Sequence, residues 1–422
     1  AAVGLKRRRT GLMHFHVLLD IDLLLYVVLV ILFVWRFLCP WRCCGHRLIY
    51  TNYVFVLYAL MTLLLIFELV QFFMSLGHDF HKDITPLALR VILMLTIPGV
   101  ISTLVMSARQ SKGHIAEINL SFATLKHDRA VQILALPPVY SLMAMSALVQ
   151  VYRRATKDPS ADPRSSFGRY ETCIHVADLY EAWALFQFGK LTLELLDEMF
   201  SQRPSQSSAQ SEEESSKDFV LSFTAVYSLA WLGTWVFVIV CAVQSAWSLW
   251  LWTFKDPQEN WEEYEGSMKQ FSYAGMVASG AAVYNVHIIE STFCSVIEGY
   301  SPLLKFISVK LLVFFAFWQM WFLQLLRWVH ALRLSDAELK LLHASLLIFE
   351  CFLSAVLHGF AWKPTESWYG ESSAGSTSEA LKDEAEAEEG IRKPASNEGP
   401  SERVPLLGNL PPAVHDVYKT TR

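Results

Sequence analysis

Two pairs of ionisable residues lie at helical spacing within apolar stretches of the chain. Asp178 and Glu181 form the first pair, and His287 and Glu290 form the second. Residues three apart share one face of an α-helix, so each pair suits proton transfer, the lining of a transport pathway or a buried ion pair. The chain has neither a G-x-x-x-x-G-K-[ST] phosphate loop nor a G-x-S-x-G nucleophile turn. We therefore expect no enzyme activity.

A lysine deep in an apolar helix is the most unusual of the charged residues. The stretch 301–319, SPLLKFISVKLLVFFAFWQ, contains Lys305 and Lys310 and continues as an apolar segment. A lysine inside a membrane span costs roughly 2.5–3.5 kcal/mol on insertion scales. Lys310 is therefore expected to pair with a carboxylate or to bind an organic anion. The candidate carboxylates are Asp178, Glu181, Glu290 and Glu350.

The other polar residues of this stretch have simpler expectations. Lys305 lies nearer the start of the helix, where its long side chain can extend to the membrane interface. Gln319 lies about 40° around the helix from Lys305, so it could continue a polar lining on that face. The aromatic residues Phe314, Phe317 and Trp318 are expected to pack between helices, or alternatively to form the apolar wall of a binding site.

Composition places the chain in a membrane. The protein has 422 residues, of which 53% are hydrophobic and only 18% are charged, whereas a soluble protein has about 25% charged residues. We therefore predict an all-α, polytopic transmembrane helical bundle surrounded by a lipid bilayer. The net charge of −5 carries little information, because much of it comes from Glu and Asp in two segments with the composition of disorder, and we expect no nucleic-acid partner. We expect no cleavable signal peptide, and the opening AAVGLKRRRT, which lacks a methionine, favours a start within a longer protein.

Apolar segments predict nine spans. Pro98 predicts a kink in the third span, and the pair Pro137-Pro138 predicts a break in the fourth. The fifth segment carries several charges, so it either spans or lies at the interface, and spanning is favoured because its other residues are uniformly apolar. The predicted spans are 17–38, 53–76, 86–108, 131–151, 170–199, 219–252, 271–297, 301–326 and 341–362.

A cysteine-rich turn follows the first predicted span. Cys39, Cys43, Cys44 and His46 cluster within eight residues. Palmitoylation, metal ligation or a plain interfacial turn would each suit this position. Metal ligation is disfavoured because no second ligand cluster completes a tetrahedral site. We therefore expect no metal and no cofactor.

The last sixty residues have the composition of a disordered tail. Residues 363–422 are acidic and rich in Ser, Gly and Pro. Glu402 precedes Leu406 and Leu407 in a pattern that clathrin adaptors bind in cytosolic tails. The pattern favours a cytosolic tail and an endosomal protein, although basic residues on both sides of the predicted spans leave the orientation open.

Several motifs, in a fixed order, resemble one membrane-protein family. The stretch 302–319 is similar to its P-x-x-K-F-x-x-V-K…F-W-Q segment, and 178–183 is similar to its D-x-Y-E-A-F motif. Residues 127–140, HDRAVQILALPPVY, resemble its E-Q-R…V-P-I-Y segment, and 348–361 resemble its last helix. On these residues, 86–362 resemble the organic solute transporter alpha family, which also includes the lazarus-type proteins.

The resemblance implies an organisation and a function. It implies a seven-helix core over 86–362, with two additional N-terminal spans in 1–85 and the tail in 363–422. It implies a facilitative transporter of amphipathic organic anions or sterol-like solutes, with a single-span partner subunit or a homodimer. An alternative is a trafficking or signalling scaffold of endosomal or vacuolar membranes that recruits adaptors through its tail. The expected location is the plasma membrane or these internal membranes.

Overall fold

The structure is a computed structural model that describes residues 47–82, 85–120, 124–157, 164–201, most of 228–251, 261–293 and 302–369. The described residues are 93% helical and contain no strand, which confirms the predicted all-α class. A short 3₁₀ turn, Ser367–Tyr369, follows the last helix. The helices are α1 (Arg47–Lys82), α2 (Leu87–Leu120), α3 (Thr124–Leu134), α4 (Leu136–Lys157), α5 (Arg164–Ser201), α6 (Trp231–Ser248), α7 (Trp261–Phe293), α8 (Pro302–Trp328) and α9 (Asp336–Ala361).

Five helical segments of the described chain are long and apolar enough to cross a membrane. Their extents are Val54–Asp79, Leu87–Glu117, Leu125–Thr156, Trp231–Ser248 and Asp336–Ala361. They support a polytopic membrane protein, while the count of nine spans stays a prediction. The first predicted span, 17–38, lies outside the described residues.

The α4 helix is the centre of the bundle. It packs against α1, α2, α5 and α9, and nearly all of its side chains are buried. Alanines and serines such as Ala144, Ala147 and Ser141 let the neighbouring backbones approach closely. In a membrane, such close packing is the main source of helix association, because lipid is as apolar as the helices themselves.

A turn at Ala135 separates α3 from α4, two residues before Pro137. Proline has no backbone N–H and therefore interrupts the helical hydrogen-bond ladder. The predicted break in the fourth span is thus confirmed. By contrast, Pro98 lies inside α2, which continues through it.

Two stretches predicted as loops are largely helical. The α2 helix runs to Leu120 although 109–129 is polar, because tertiary contacts hold its polar residues. Gln110 donates to the Ala355 carbonyl oxygen at 2.9 Å, and Ser111 hydrogen-bonds Tyr58 at 3.0 Å. The α7 helix begins at Trp261, ten residues before the predicted span 271–297, since Glu262 and Glu263 lie favourably at a helix N-terminus.

Asp79 joins three helices at one end of the bundle. Its carboxylate accepts hydrogen bonds from the Thr85 amide (3.0 Å) and the Tyr152 hydroxyl (2.8 Å). The Arg90 guanidinium lies 3.1 Å from the same carboxylate. Asp79 is fully buried, and it thereby ties α1 and the start of α2 to the end of α4.

The residues after α9 fold back onto the bundle. Trp368 and Tyr369 are buried, and the Tyr369 ring stacks on His127 with centroids 4.0 Å apart. Lys126 donates to the Trp368 carbonyl oxygen at 3.0 Å. The segment 363–369 therefore differs from the disordered tail predicted to begin at 363, because its aromatic side chains pack against α2 and α3. Residues 370–422 lie outside the described part of the chain.

Candidate functional site

Four polar side chains of α5 stand at three-residue intervals and wind around about half of the helix. The row consists of Thr172, His175, Asp178 and Glu181, and it extends about 13 Å along the helix. We call this row, together with the α6 side chains that contact it, the polar seam. Polar side chains inside an apolar bundle need partners, so the contacts of each one reveal its role.

The α6 helix supplies the partners at one end of the polar seam. Ser248 hydrogen-bonds Thr172 at 2.9 Å, and Ser245 donates to the His175 carbonyl oxygen at 2.7 Å. The Gln244 amide nitrogen lies 2.9 Å from His175 Nδ1. These hydrogen bonds fix the register of α6 against α5.

Asp178 lies in the middle of the polar seam and is held by two neighbours. The Tyr140 hydroxyl of α4 donates to its carboxylate at 2.9 Å, and His175 Nδ1 lies 3.5 Å from its other oxygen. Its side chain remains about one-third exposed. Asp178 is therefore fixed in place by the central helix.

Glu181 and Lys310 lie at the other end of the polar seam. Both are buried, at 2% and 8% exposure, on two helices that pack together. The Lys310 ammonium lies 5.4 Å from the centroid of the Phe237 ring of α6, and Cys241 lies one turn further along α6. A cation and a carboxylate thus meet where α5, α6 and α8 converge.

Lys305 differs from its predicted snorkelling position. Its side chain is 1% exposed, and its ammonium donates to Glu366 at 2.7 Å. The rings of Trp362 and Trp368 lie 5.6 and 5.4 Å from the ammonium. The segment after α9 covers this end of α8, so Lys305 meets a carboxylate and two aromatic faces rather than water.

Glu350 and Gln319 are not part of the polar seam. Glu350 lies on α9, where its Oε2 is buried and accepts no hydrogen bond from the described residues. Gln319 lies nine residues after Lys310, which places it about 180° around α8. Its Oε1 is likewise buried without a partner among the described residues. The predicted polar lining through Gln319 therefore follows a different side of α8 from Lys310.

The remaining predicted site residues lie elsewhere. His287 is exposed on α7, and the side chain of Glu290, on the same helix, is outside the described structure. The possible palmitoylation sites Cys39, Cys43 and Cys44 and the sorting motif Glu402, Leu406 and Leu407 also fall outside it. No group of three metal-ligating side chains occurs among the residues that the structure describes.

Sequence reasoning missed several members of the site. His175 could have been found, since it precedes Asp178 by the same three residues that separate Asp178 from Glu181. No sequence pattern pointed to Phe237, Cys241 or Gln244. The packing of α6 against α5 is a tertiary contact between residues about seventy positions apart.

Two of the segments on which the resemblance was based also contact each other. They are 127–140, on α3–α4, and 178–183, on α5. Arg129 forms a two-pronged salt bridge with Glu194. The Tyr180 hydroxyl donates to the Gln132 carbonyl oxygen at 2.9 Å, and the Trp183 indole donates to the Gln132 side chain at 3.0 Å. With the bond from Tyr140 to Asp178, these contacts place both motifs in one helix interface.

Comparison with protein families identifies the core of the chain. The family model described as organic solute transporter Ostalpha matches residues 114–367, which is more than half of the chain. Neither the curated proteins nor the solved structures gave a match. The matched region begins in α2 and ends within the segment that packs against Lys305. The chain belongs to the organic solute transporter Ostalpha family.

Proposed function

We propose that this membrane protein is a facilitative transporter of amphipathic organic anions or sterol-like solutes, which pass through the helix bundle. The observation that carries the proposal is the burial of the Lys310 ammonium on α8, 5.4 Å from the Phe237 ring of α6. Family membership and the apolar helices support a membrane transporter. The class of solute goes beyond what family membership and the apolar helices show.

The chemistry around Lys310 suits an amphipathic anion. Its ammonium provides the positive charge that an anionic head group requires, and a buried charge attracts its partner more strongly than an exposed one. The neighbouring Phe237 ring offers an apolar face for the body of the solute. Phe306, one turn before Lys310, extends this surface towards Phe188, whose ring centroid lies 6.1 Å away.

Glu181 provides a counter-ion for Lys310 in the absence of solute. A lone ammonium in an apolar bundle would be strongly disfavoured, and the carboxylate offsets its charge when no solute is bound. An anionic head group that approaches Lys310 can take over this role. Exchange of one counter-ion for another allows binding without leaving the lysine uncompensated.

Reconstitution in proteoliposomes tests this function. Vesicles containing the purified protein should take up a radiolabelled steroid sulfate faster than protein-free vesicles, and excess unlabelled steroid sulfate should saturate the uptake. Lys310→Ala should reduce uptake by about tenfold or more, since truncating one partner of a buried charge pair costs at least 2 kcal/mol in comparable sites. Absence of protein-dependent flux with both steroid sulfates and long-chain fatty anions would contradict the proposal.

A second candidate function rests on the tail. The pattern at Glu402, Leu406 and Leu407 favours a protein of endosomal or vacuolar membranes that recruits clathrin adaptors through a cytosolic tail. A single-span partner subunit or a second copy of the chain is the proposed assembly. The sorting and transport functions are compatible, because the tail and the polar seam occupy separate parts of the chain.

A further inference from the structure

We propose that residues 363–369 form a pH-sensitive strap, which closes over α2 and α3 near neutral pH and releases in acid, and that the hydrogen-bonded pair of His114 and His127 is its sensor. The proposal concerns the segment after α9 and does not depend on the transport function. It adds a conformational response to acidification, which family membership does not specify.

Side-chain contacts hold the strap against the bundle at its end and in its middle. At the end, the Tyr369 ring stacks on the His127 ring, with centroids 4.0 Å apart and an angle of 12° between the ring planes. In the middle, Glu366 accepts a hydrogen bond from the Lys305 ammonium at 2.7 Å. The regular structure of the strap is a single 3₁₀ turn, which is too short to be stable alone. These contacts therefore determine whether the strap stays closed.

Two histidines lie beneath the end of the strap and contact each other. His114 of α2 and His127 of α3 are 0% and 2% exposed, and their Nδ1 atoms lie 3.0 Å apart. His114 Nε2 lies 3.2 Å from the carbonyl oxygen of Trp362, the residue that caps α9. The Tyr369 ring meets the His114 ring edge-on, with centroids 5.5 Å apart. The strap and the cap of α9 thus cover both imidazoles.

The hydrogen bonds of the pair fix the positions of its hydrogens. A carbonyl oxygen can only accept, so His114 Nε2 carries the hydrogen that it donates to Trp362. In a neutral imidazole, His114 Nδ1 then has a lone pair, and His127 Nδ1 carries the hydrogen that lies between the two rings. The neutral pair is therefore complete, with one donor and one acceptor in the 3.0 Å contact.

Protonation disturbs this match in two steps. A first proton still leaves one N–H and one lone pair on the two facing nitrogens, so the contact survives. A second proton places an N–H on both facing nitrogens, because a charged imidazole donates from both of its nitrogens and accepts with neither. Two positive rings would then face each other in buried surroundings, which is costly. Release of the strap relieves the conflict, since both rings gain access to water.

The titratable and charged groups around the pair come from α3, α8, α9 and the strap. Among the described residues they are Lys126, Asp128, Lys305, His358, Glu366 and Tyr369. Lys126 is a cation that acts on His127, and Glu366 is the anion that acts on His114. The Glu366 carboxylate already bonds the Lys305 ammonium. Because Lys305 shares this carboxylate, it cannot neutralise two further positive charges on the histidines.

Hydrogen–deuterium exchange of the full-length protein in detergent measures how much of the strap is closed. The amides of Glu366 and Tyr369 donate to backbone carbonyl oxygens within the strap at 3.3 and 3.2 Å, so they are protected while it is closed. In the released strap, both imidazoles titrate near the ordinary histidine pKa of about 6.5. The closed strap accommodates at most one of the two protons. Protection of these amides, corrected for the intrinsic exchange rate, should therefore be about tenfold or more lower at about pH 5 than at about pH 7.

His127→Asn removes the sensor while it keeps the hydrogen bond. The asparagine amide can donate to His114 as His127 does, and it can turn its oxygen towards a protonated His114. Strap protection should then change by less than about threefold over the same pH range. His358→Gln is the matched control, because His358 is also a fully buried histidine that contacts a backbone carbonyl oxygen, that of Ser308 at 3.0 Å. Its pH response should equal that of the wild type.

Glu366→Gln separates the histidines from the carboxylate of the strap. The variant loses the charge opposite Lys305, so strap protection should be lower at every pH. The fold-change in protection between neutral and acid pH should stay that of the wild type, because the histidine pair is unchanged. Loss of this pH response in Glu366→Gln would make the carboxylate the sensor and would overturn the proposal.

Each remaining outcome decides the proposal. Equal wild-type protection at neutral and acid pH would overturn strap release, and a wild-type pH response in His127→Asn would exclude the pair as the sensor. If His127→Asn opens the strap at both pH values, the other two variants decide. An unchanged pH response in both Glu366→Gln and His358→Gln then supports the pair, and its loss in either overturns it. The buried middle of α9, at Leu347 and Ile348, should stay protected throughout. Parallel loss of protection there would mean acid unfolding of the bundle and would contradict strap release.

Discussion

The ammonium of Lys305 lies 2.7 Å from a carboxylate oxygen of Glu366, although the two residues belong to α8 and to the segment beyond α9. Lys305 is 1% exposed, and Glu366 has a side-chain exposure of 21%. The pair therefore attaches the end of the family-matched region to the helix that carries Lys310.

Glu366→Gln should destabilise the protein by about 2 kcal/mol, because it removes the negative charge opposite a buried lysine. The partial exposure of Glu366 keeps the loss below the value for a fully buried pair. Thermal unfolding in detergent measures the effect. The double variant Lys305→Met/Glu366→Gln should recover most of the loss, since an apolar side chain of similar size needs no counter-ion. A double variant less stable than Glu366→Gln alone would contradict this explanation.

Asp79→Asn should lower the free energy of unfolding by about 3 kcal/mol. The substitution keeps the shape of the side chain. It removes the carboxylate, which offsets the charge of buried Arg90 and accepts the hydrogen bond from Tyr152. Chemical denaturation of the purified protein measures the change.

Tyr152→Phe serves as the graded control for Asp79. It removes only one hydrogen bond to the carboxylate and should cost about 1–2 kcal/mol. If Tyr152→Phe proves as damaging as Asp79→Asn, the charge of Asp79 is not the main contribution of this cluster.

Ser335→Ala should cost about 1 kcal/mol of stability through the start of α9. Ser335 Oγ accepts a hydrogen bond from the Glu338 amide at 3.3 Å, and the Glu338 carboxylate accepts one from the Ser335 amide at 2.7 Å. Ser335→Gly should cost only a few tenths of a kcal/mol, because glycine is tolerated at this position. Equal losses in the two variants, measured by thermal unfolding, would rule out the cap as the cause.

The order and class of the helices could be predicted from sequence, since long apolar runs and internal prolines are local signals. The stretch around Lys310 illustrates the limit of this reasoning. Its isolated charge predicted a carboxylate partner, but four carboxylates were equally suitable by composition. The structure buries Glu181 and Lys310 on two helices that pack together, α5 and α8, and this packing is a property of the assembled bundle.

The predicted interfacial position of the Lys305 side chain was wrong for a related reason. Its position near the start of a helix favours exposure, provided that nothing covers that end. The covering residues lie more than fifty positions away: Trp362 ends the last predicted span, and Trp368 lies near the start of the stretch whose composition predicts disorder. Composition averages over such a stretch and does not detect a few aromatic residues that pack.

Leu406→Ala/Leu407→Ala should shift the protein from internal membranes to the cell surface, because adaptors bind the two leucines in an extended tail. Surface biotinylation of the tagged full-length chain measures the surface fraction. Leu410→Ala is a suitable control in the same tail, outside the motif. An unchanged surface fraction in the double variant would exclude the pattern as a sorting signal.

Steroid sulfate flux through Lys310→Ala is the most direct test of the account. Lys340→Ala is the matched control, because Lys340 is also a helix lysine paired with a carboxylate, Glu171, at 3.1 Å, but it lies outside the polar seam. We expect flux to fall about tenfold or more in Lys310→Ala and to stay near the wild-type value in Lys340→Ala. Equal flux in wild type and a folded Lys310→Ala protein would contradict the central claim that Lys310 binds the transported anion.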